Sequence, residues 1–229
     1  MRKNIIKEYE IKKIGQRMIN ACKRLHMLGL LSGPGGNISH RTSIPNIIIC
    51  SPSGVPIMDM FVDDLCIVEL QNSSNSNYKV LEGKYKPTSE ILLHCEVYRS
   101  RPEIMSIVHT HPPFVTAFAC TDEIINFEIT EDKAWYIGEI EYMPFINGST
   151  KELAEAALPK LEKSYVLVLR NHGLVALGDC LAEAVNITEL VESLARTYFY
   201  SKLMGKWKEI EVPYIKTRDG LIYHDEIFD

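Results

Sequence analysis

Ile107-Val108-His109-Thr110-His111-Pro112 is the stretch of sequence around which the rest of the chain is expected to fold. Its β-branched residues, with Ile104 just before them, predict a buried strand, and two histidines spaced two residues apart point to the same face of a strand. Neutral imidazole nitrogen is a preferred ligand of zinc and related ions, and a catalytic site needs about three protein ligands. The pair therefore indicates part of a metal site, although two histidines alone also fit plain core or turn positions.

The composition is that of an ordinary globular protein. Hydrophobic residues make up 46% of the 229 residues, which is enough for a proper core. The formal net charge is −5 and both signs are interspersed, so the chain has no electrostatic footprint for nucleic acid or an anionic membrane. Six cysteines occur without CxxC pairs, and no apolar run approaches the roughly 18 residues of a membrane span. We expect a cytoplasmic protein without nucleic-acid or membrane partners.

Helical and strand periodicities are mixed along the chain. Helices are predicted at about 5–31, 87–99, 112–119, 149–163 and 181–204, and strands at 46–50, 65–70, 141–145, 165–169 and 174–177, besides the histidine stretch. The polar residues 71–77 predict a hairpin tip, 122–140 give no clear pattern, and the residues after 205 are interpreted as a tail. This mixture favours an α/β sandwich with a largely antiparallel sheet.

A third histidine occupies a similar position to the first two. His172 lies between the predicted strand that ends at Leu169 and the glycine Gly173, so it also stands at a strand end. Three histidines at adjacent strand ends could converge on one ion. On position alone, a turn residue remains the alternative for His172.

Five motifs in a fixed order carry a resemblance to a known family. They are Gly35-Gly36-Asn37-Ile38-Ser39, Ser51-Pro52-Ser53-Gly54, Pro87-Thr88-Ser89-Glu90, His109-Thr110-His111-Pro112 and Asn171-His172-Gly173-Leu174. Over about residues 10–205, this order resembles the class II aldolase and adducin head-domain family. The resemblance implies a single α/β domain over 1–229, with a central, mostly antiparallel sheet between helical layers and a tail at 206–229. It also implies a homotetramer with active sites at subunit interfaces.

The resemblance assigns roles to individual residues. His109, His111 and His172 are implied to bind Zn2+ or another divalent metal such as Mn2+, Co2+ or Fe2+, and Glu90 is implied to be the catalytic acid and base. The implied phosphate pocket consists of Gly36, Asn37, Ser53, Gly54, Thr88 and Ser89. Backbone amides in such turns and at a helix N-terminus can cradle a phosphate without a lysine.

The implied activity is metal-dependent cleavage of a ketose 1-phosphate, similar to L-fuculose 1-phosphate, into dihydroxyacetone phosphate and an aldehyde through an enediolate. A 4-epimerase, a dehydratase of the methylthioribulose-1-phosphate type and a decarboxylase are alternatives on the same site. The family's epimerases carry Asp at the Glu90 position, and its decarboxylases tend to carry Lys at the Ser89 position. An adducin-like interaction protein is the non-enzymatic alternative, and the complete ligand set argues against it.

One departure from the family pattern concerns proton transfer to the aldehyde oxygen. The family's aldolases place a tyrosine from a neighbouring subunit after the histidine strand, where this chain has Thr130. The proton donor is therefore open among Glu131, Asp132, Tyr214 and Tyr223.

Overall fold

The computed structural model describes residues 2–73, 76–125, 128–131, 136–210 and 223–229. Its strands are β1 (Asn37–Arg41), β2 (Ile47–Cys50), β3 (Cys66–Ser73), β4 (Ser76–Glu82), β5 (Ser106–Thr110), β6 (Ile140–Met143), β7 (Val166–Leu169) and β8 (Gly173–Gly178). Its α-helices are α1 (Arg2–Met27), α2 (Ile91–Ser100), α3 (Pro113–Ala119), α4 (Lys151–Lys160) and α5 (Leu181–Met204). Short 3-10 helices cover Ile57–Asp59, Val62–Asp64 and Asp225–Phe228.

Within the described ranges, eight strands form one sheet in the order β4-β3-β2-β1-β5-β8-β7-β6. The pairs from β4 through β7 are antiparallel, and β6 pairs with β7 in parallel at the edge. A parallel pair needs a long crossover connection, and α4 supplies it between β6 and β7. The predicted mostly antiparallel sheet is confirmed.

The two faces of the sheet are covered by different helices. Side chains alternate along β5, so Ile107 packs with the residues of α2 and α4 while Val108 packs with α1 on the opposite face. The helices α3 and α5 cover that same opposite face over β7 and β8. Because both faces are covered, all five residues of β5 are buried. The predicted α/β fold, with a sheet between helical layers, is confirmed.

Three details of the predicted elements are wrong. The short strand β1 begins at Asn37, inside a segment that the sequence suggested only as a glycine-rich turn. The hairpin strands extend to Ser73 and restart at Ser76, so most of the predicted tip 71–77 belongs to β3 and β4. The helix α2 begins at Ile91, four residues after the predicted start at Pro87.

Residues 223–229, expected to form part of a tail, pack against the body of the protein. The Phe228 side chain is 4% exposed, and the Asn20 Nδ2 group of α1 donates a hydrogen bond to the Phe228 carbonyl at 2.7 Å. The Ala182 N–H at the start of α5 donates to Asp225 Oδ1 at 2.8 Å. This end of the chain therefore joins α1 to α5. In the described part of the chain, no helix combines the length and apolar character that a membrane span requires.

Candidate active site

The residues that the sequence analysis assigned to a site line one cavity of about 230 Å³. They are Gly36, Asn37, Ser53, Gly54, Thr88, Ser89, Glu90, His109, His111 and His172. The cavity lies where β1, β5 and β8 meet, since Asn37 pairs with His109 and Thr110 pairs with Leu174 in the sheet. It is smaller than the roughly 300–1,000 Å³ of pockets for drug-sized ligands, so its size suits a small substrate.

The three histidines converge at this edge of the sheet. His109 ends on β5, His111 follows it, and His172 stands in the tight turn between β7 and β8. Asn171 lies in the middle of that turn with a left-handed φ of 55°, a conformation that asparagine tolerates better than most residues. The ligand atoms of the three side chains all lie within 4.8 Å of one another.

The geometry of the triad fits a divalent metal ion. His109 Nε2 and His111 Nε2 are 3.1 Å apart. Two nitrogens bound to one tetrahedral zinc at about 2.0–2.1 Å lie roughly 3.3 Å from each other, which is close to this separation. The His109 Nδ1–H donates to the Leu174 carbonyl at 3.0 Å, so Nε2 keeps its lone pair for a metal.

Burial favours the neutral imidazoles that metal binding requires. Burial, together with the neighbouring His109 and His172 and opposed by Glu90, lowers the pKa of His111 to about 4. Burial likewise lowers the pKa of His172. Both side chains are therefore neutral near pH 7 and can act as ligands.

Glu90 places one carboxylate oxygen against each of two histidines. It is the N-cap residue of α2 and is 4% exposed. Its Oε2 lies 3.4 Å from His109 Nε2, and its Oε1 lies 3.4 Å from His172 Nε2. Burial raises the pKa of Glu90, but electrostatic interactions with His109, His172 and His94 and a hydrogen bond from Asn37 together lower it below its ordinary value. The carboxylate is thus ionised and ready to accept a proton.

Only part of the expected phosphate cradle is available to a ligand. The Ser53 N–H donates to the Lys86 carbonyl and the Thr88 N–H donates to the Ser51 carbonyl, each at 2.9 Å. The expectation that these two amides face a phosphate is therefore wrong, because they hold the two turns together. The amides of Gly36, Gly54 and Ser89 meet no acceptor within the described residues.

Two glycines allow the close approach of the loops to the histidine strand. Gly36 has a φ of 80°, and a Cβ there would stand 2.3 Å from Leu31 Cδ2 and 2.7 Å from the His109 carbonyl oxygen. A Cβ on Gly173 would stand 2.4 Å from the Thr110 carbonyl oxygen and 2.7 Å from His111 Cδ2. No side chain fits at either position without displacing the ligand strand.

Several residues at the site were not predicted from the sequence. Gly148 and Ser149 line the cavity from the loop before α4, and their sequence carries no signal that would place them there. His94 is fully buried next to the cavity and was not singled out. A signal for it exists, because Glu90 and His94 are four residues apart and face the same side of a helix.

Of the four candidate proton donors, the two that lie in the described residues, Glu131 and Tyr223, do not line the cavity. Glu131 is exposed, and neither it nor Thr130 lines the cavity of its own chain. The Tyr223 hydroxyl accepts a hydrogen bond from Asn186 on α5 at 3.1 Å, away from the cavity. Asp132 and Tyr214 lie outside the described residues.

Comparison with known proteins gives a consistent result. The family profile "Class II Aldolase and Adducin N-terminal domain" matches residues 16–199. The L-fuculose phosphate aldolase of Methanococcus vannielii is 32% identical over 79% of this chain and 93% of its own length. The 5-deoxy-D-ribulose 1-phosphate aldolase of Bacillus thuringiensis serovar kurstaki is 29% identical over 87% of each chain. A solved L-fuculose 1-phosphate aldolase superposes with a TM-score of 0.75 at 29% identity, over 87% of this chain and 91% of that one.

Proposed function

Because the chain belongs to the class II aldolase and adducin N-terminal domain family, we propose that it is a metal-dependent aldolase. Its substrate is a ketose 1-phosphate of the L-fuculose 1-phosphate kind, and its products are dihydroxyacetone phosphate and an aldehyde. The names of the two relatives support this substrate class, and both are aldolases of sugar phosphates. The observation that carries the proposal is the single cavity that joins the histidine triad, Glu90 and the three turns.

The histidine triad is proposed to hold the metal. A divalent ion bound by His109, His111 and His172 would supply Lewis-acid stabilisation of the negative charge that develops on the substrate oxygens. Zn2+ suits three imidazole ligands with an open position, and Mn2+, Co2+ and Fe2+ are the alternatives. The protein contributes fixed imidazole orientations, as the His109 contact with the Leu174 carbonyl illustrates.

Glu90 is proposed to move the proton. Cleavage of the C3–C4 bond turns C4 into the aldehyde, with loss of the C4 hydroxyl proton, and leaves an enediolate, which becomes dihydroxyacetone phosphate when C3 gains a proton. Glu90 lies within 3.4 Å of two of the proposed ligands, so its carboxylate can reach a substrate bound there. The free amides of Gly36, Gly54 and Ser89 are proposed to bind the phosphate group, with the hydroxyls of Ser53, Thr88 and Ser89 beside them.

The proposal is tested by incubating the purified protein with L-fuculose 1-phosphate and 5-deoxyribulose 1-phosphate in the presence of Zn2+, Mn2+ or Co2+. Dihydroxyacetone phosphate is measured with a coupled reductase and NADH. We expect its release from at least one of these substrates and a loss of release after chelation. If none of the ketose 1-phosphates yields this three-carbon product, the proposal is wrong. NMR analysis of the products then identifies an epimer or a dehydration product.

We also propose the homotetramer that the family resemblance implies. Exposed apolar side chains at the end of α5 support an interface there, since Phe199, Leu203 and Met204 are 39%, 69% and 89% exposed. Phe199 and Leu203 line an open apolar groove of about 410 Å³. Sedimentation velocity tests the assembly, and Leu203→Asp should lower the sedimentation coefficient. A monomer at micromolar concentration of the unaltered protein would contradict the proposal.

A further inference from the structure

A buried chain of hydrogen bonds connects Tyr98 to the carboxylate of Glu90. The Tyr98 hydroxyl lies 2.8 Å from Ser39 Oγ, which lies 2.6 Å from His94 Nδ1. His94 Nε2 lies 2.6 Å from Asn37 Oδ1, and Asn37 Nδ2 donates to Glu90 Oε2 at 3.4 Å. All five residues are buried, so water does not compete along the chain.

The positions of α2 and β1 explain how this chain of hydrogen bonds forms. Glu90, His94 and Tyr98 follow one another at four-residue intervals and therefore share one face of α2. Asn37 and Ser39 are two residues apart on β1 and so point to the same face of the sheet. The helix face and the strand face meet, and their polar groups alternate between the two elements.

The carboxylate at one end sets the direction of every hydrogen bond. The Asn37 amide turns its NH2 group toward Glu90 Oε2 and its oxygen toward His94 Nε2. That oxygen requires an N–H on His94 Nε2. Burial lowers the pKa of His94 to about 4, so the ring is neutral and has a single N–H. His94 Nδ1 then accepts from the Ser39 hydroxyl, which in turn accepts from Tyr98.

We propose that His94 is a positioning residue, which holds the Asn37 amide in the one orientation in which its NH2 group donates to Glu90. The other tautomer of His94, with its hydrogen on Nδ1, would attract the Asn37 NH2 group and turn the amide oxygen toward the carboxylate. Two oxygen acceptors would then face each other, and Glu90 would lose its hydrogen bond. Asn37 also lines the cavity, so the same orientation presents its amide at the site.

Two substitutions of His94 separate this role from simple packing. The amide nitrogen of His94→Gln can reach the position of Nε2 and donate to Asn37, whereas His94→Asn reaches only the Nδ1 position beside Ser39. Both variants place an amide in the same buried space. On the proposed aldolase function, we expect His94→Asn to lower kcat by about 10–100-fold and His94→Gln by less than about tenfold. Equal losses in the two variants would overturn the proposal.

A matched control uses the second buried histidine of the same region. His40 on β1 contacts the Ser106 hydroxyl at 2.6 Å and has no contact with Glu90. His40→Asn therefore also removes a buried imidazole, and we expect it to lower the unfolding midpoint while kcat stays near that of the unaltered protein. Metal content is measured for every variant. A loss of kcat in His94→Asn that only follows a loss of bound metal would count against positioning.

The tautomer of His94 is a readout that does not depend on activity. In protein labelled with 15N in histidine, long-range correlations between ring nitrogens and carbon-bound protons distinguish a hydrogen on Nε2 from one on Nδ1. We expect a neutral His94 with its hydrogen on Nε2 at pH 7. A hydrogen on Nδ1 would overturn this inference even if the protein is an aldolase. Conversely, the Nε2 tautomer in a protein that cleaves no ketose 1-phosphate would overturn the proposed function and leave the hydrogen-bond order in place.

Discussion

Glu90 shares its carboxylate between two imidazoles, one oxygen toward each, and this contact ties the proposed proton transfer to the proposed metal site. Replacement by glutamine keeps the shape of the side chain but removes its ability to take up a proton. We expect Glu90→Gln to lower kcat by about 10²–10⁴-fold, in the range of other lost acid–base groups. Steady-state release of dihydroxyacetone phosphate measures the effect.

The control for Glu90→Gln is a carboxylate of similar burial elsewhere. Glu192 on α5 accepts hydrogen bonds from the backbone N–H groups of Phe114 and Val115 at the start of α3. We expect Glu192→Gln to lower stability and to leave kcat nearly unchanged. Bound metal should remain in Glu90→Gln because the three histidines are intact. An unchanged kcat in Glu90→Gln would refute its role.

His40 should make the stability of the protein depend on acid. Burial, opposed by Asp225 and assisted by Arg17, lowers its pKa to about 4, whereas a histidine in an unfolded chain titrates near 6.5. Between pH 6.5 and 4 the unfolded state binds more protons at His40 than the folded state does. The contribution of His40 to stability is therefore fully present above pH 6.5 and is lost as the pH falls toward 4. Urea unfolding over this pH range measures the slope of the unfolding free energy against pH. We expect His40→Gln to reduce this slope by at most about 1.4 kcal/mol per pH unit. Parallel curves for the two proteins would show that His40 does not contribute.

At the residue scale, the sequence predicted those side chains whose spacing has a chemical reason. His109 and His111 share a strand face and His172 follows a strand, so the sequence alone was enough to place each of them at a strand end. The four-residue spacing places His94 on the same side of a helix as Glu90, but it does not assign a role, since a single histidine in an amphipathic helix is usually a core residue. Its role depends on Asn37 and Ser39, which come from a distant strand that the sequence did not reveal.

At the scale of elements, the pairing of β5 with β8 brings the ligands together, and Gly173 makes this pairing close. We expect Gly173→Ala to weaken zinc binding by about tenfold or more, because its Cβ would displace Thr110 and His111. Calorimetric titration of the metal-free protein measures this affinity. Gly29→Ala is the control, since Gly29 has a φ of 75° and nothing lies within 4 Å of its added Cβ. That variant should lose about 1–2 kcal/mol of stability and keep its zinc affinity. Equal zinc affinities in the two variants would contradict the prediction.

The elements with strong periodicity were predicted well, and β1 shows why others were not. Elements with regularly spaced apolar residues, such as β7 and α1, begin and end within a few residues of their predicted bounds. In β1, only Ile38 is apolar, while Asn37, Ser39 and His40 are polar residues that find buried partners. Those partners lie on α2 and β5, so no local pattern could reveal a buried strand at this place. The strand β1 is therefore determined by tertiary contacts and not by the local sequence.

At the scale of the whole molecule, the last residues join the first helix to the last. The Phe228 side chain is buried between them, and Arg17 forms an ion pair with Asp229. We expect Phe228→Ala to lower the unfolding free energy by about 3–5 kcal/mol, as for other buried aromatic side chains. Denaturant unfolding measures it. The neighbouring Ile227 is 60% exposed, so Ile227→Ala should change stability little. If both variants unfold alike, the packing of this end contributes nothing.

The interpretation of residues 206–229 as a tail followed from composition, because tyrosine, proline and charge are mixed there without a period. Residues 223–229 contact α1, at the opposite end of the sequence, and α5, the last α-helix in the described part of the chain. Such contacts leave no local trace in the residues that make them. Sequence patterns therefore placed the sheet and the site better than the closing segment of the chain.

The contact between His109 and the Leu174 carbonyl joins residues 65 positions apart in the sequence. Pairing of strands so far apart in the sequence is slow compared with helix formation, so we expect a refolding chain to form α2 and α5 before β5 pairs with β8. A bound ion would then arrive near the end of folding, once this strand pair exists. Stopped-flow refolding with a zinc-sensitive dye measures when the ion is taken up. We expect uptake to coincide with the formation of the complete sheet. An early uptake phase would mean that the triad assembles before the strands pair.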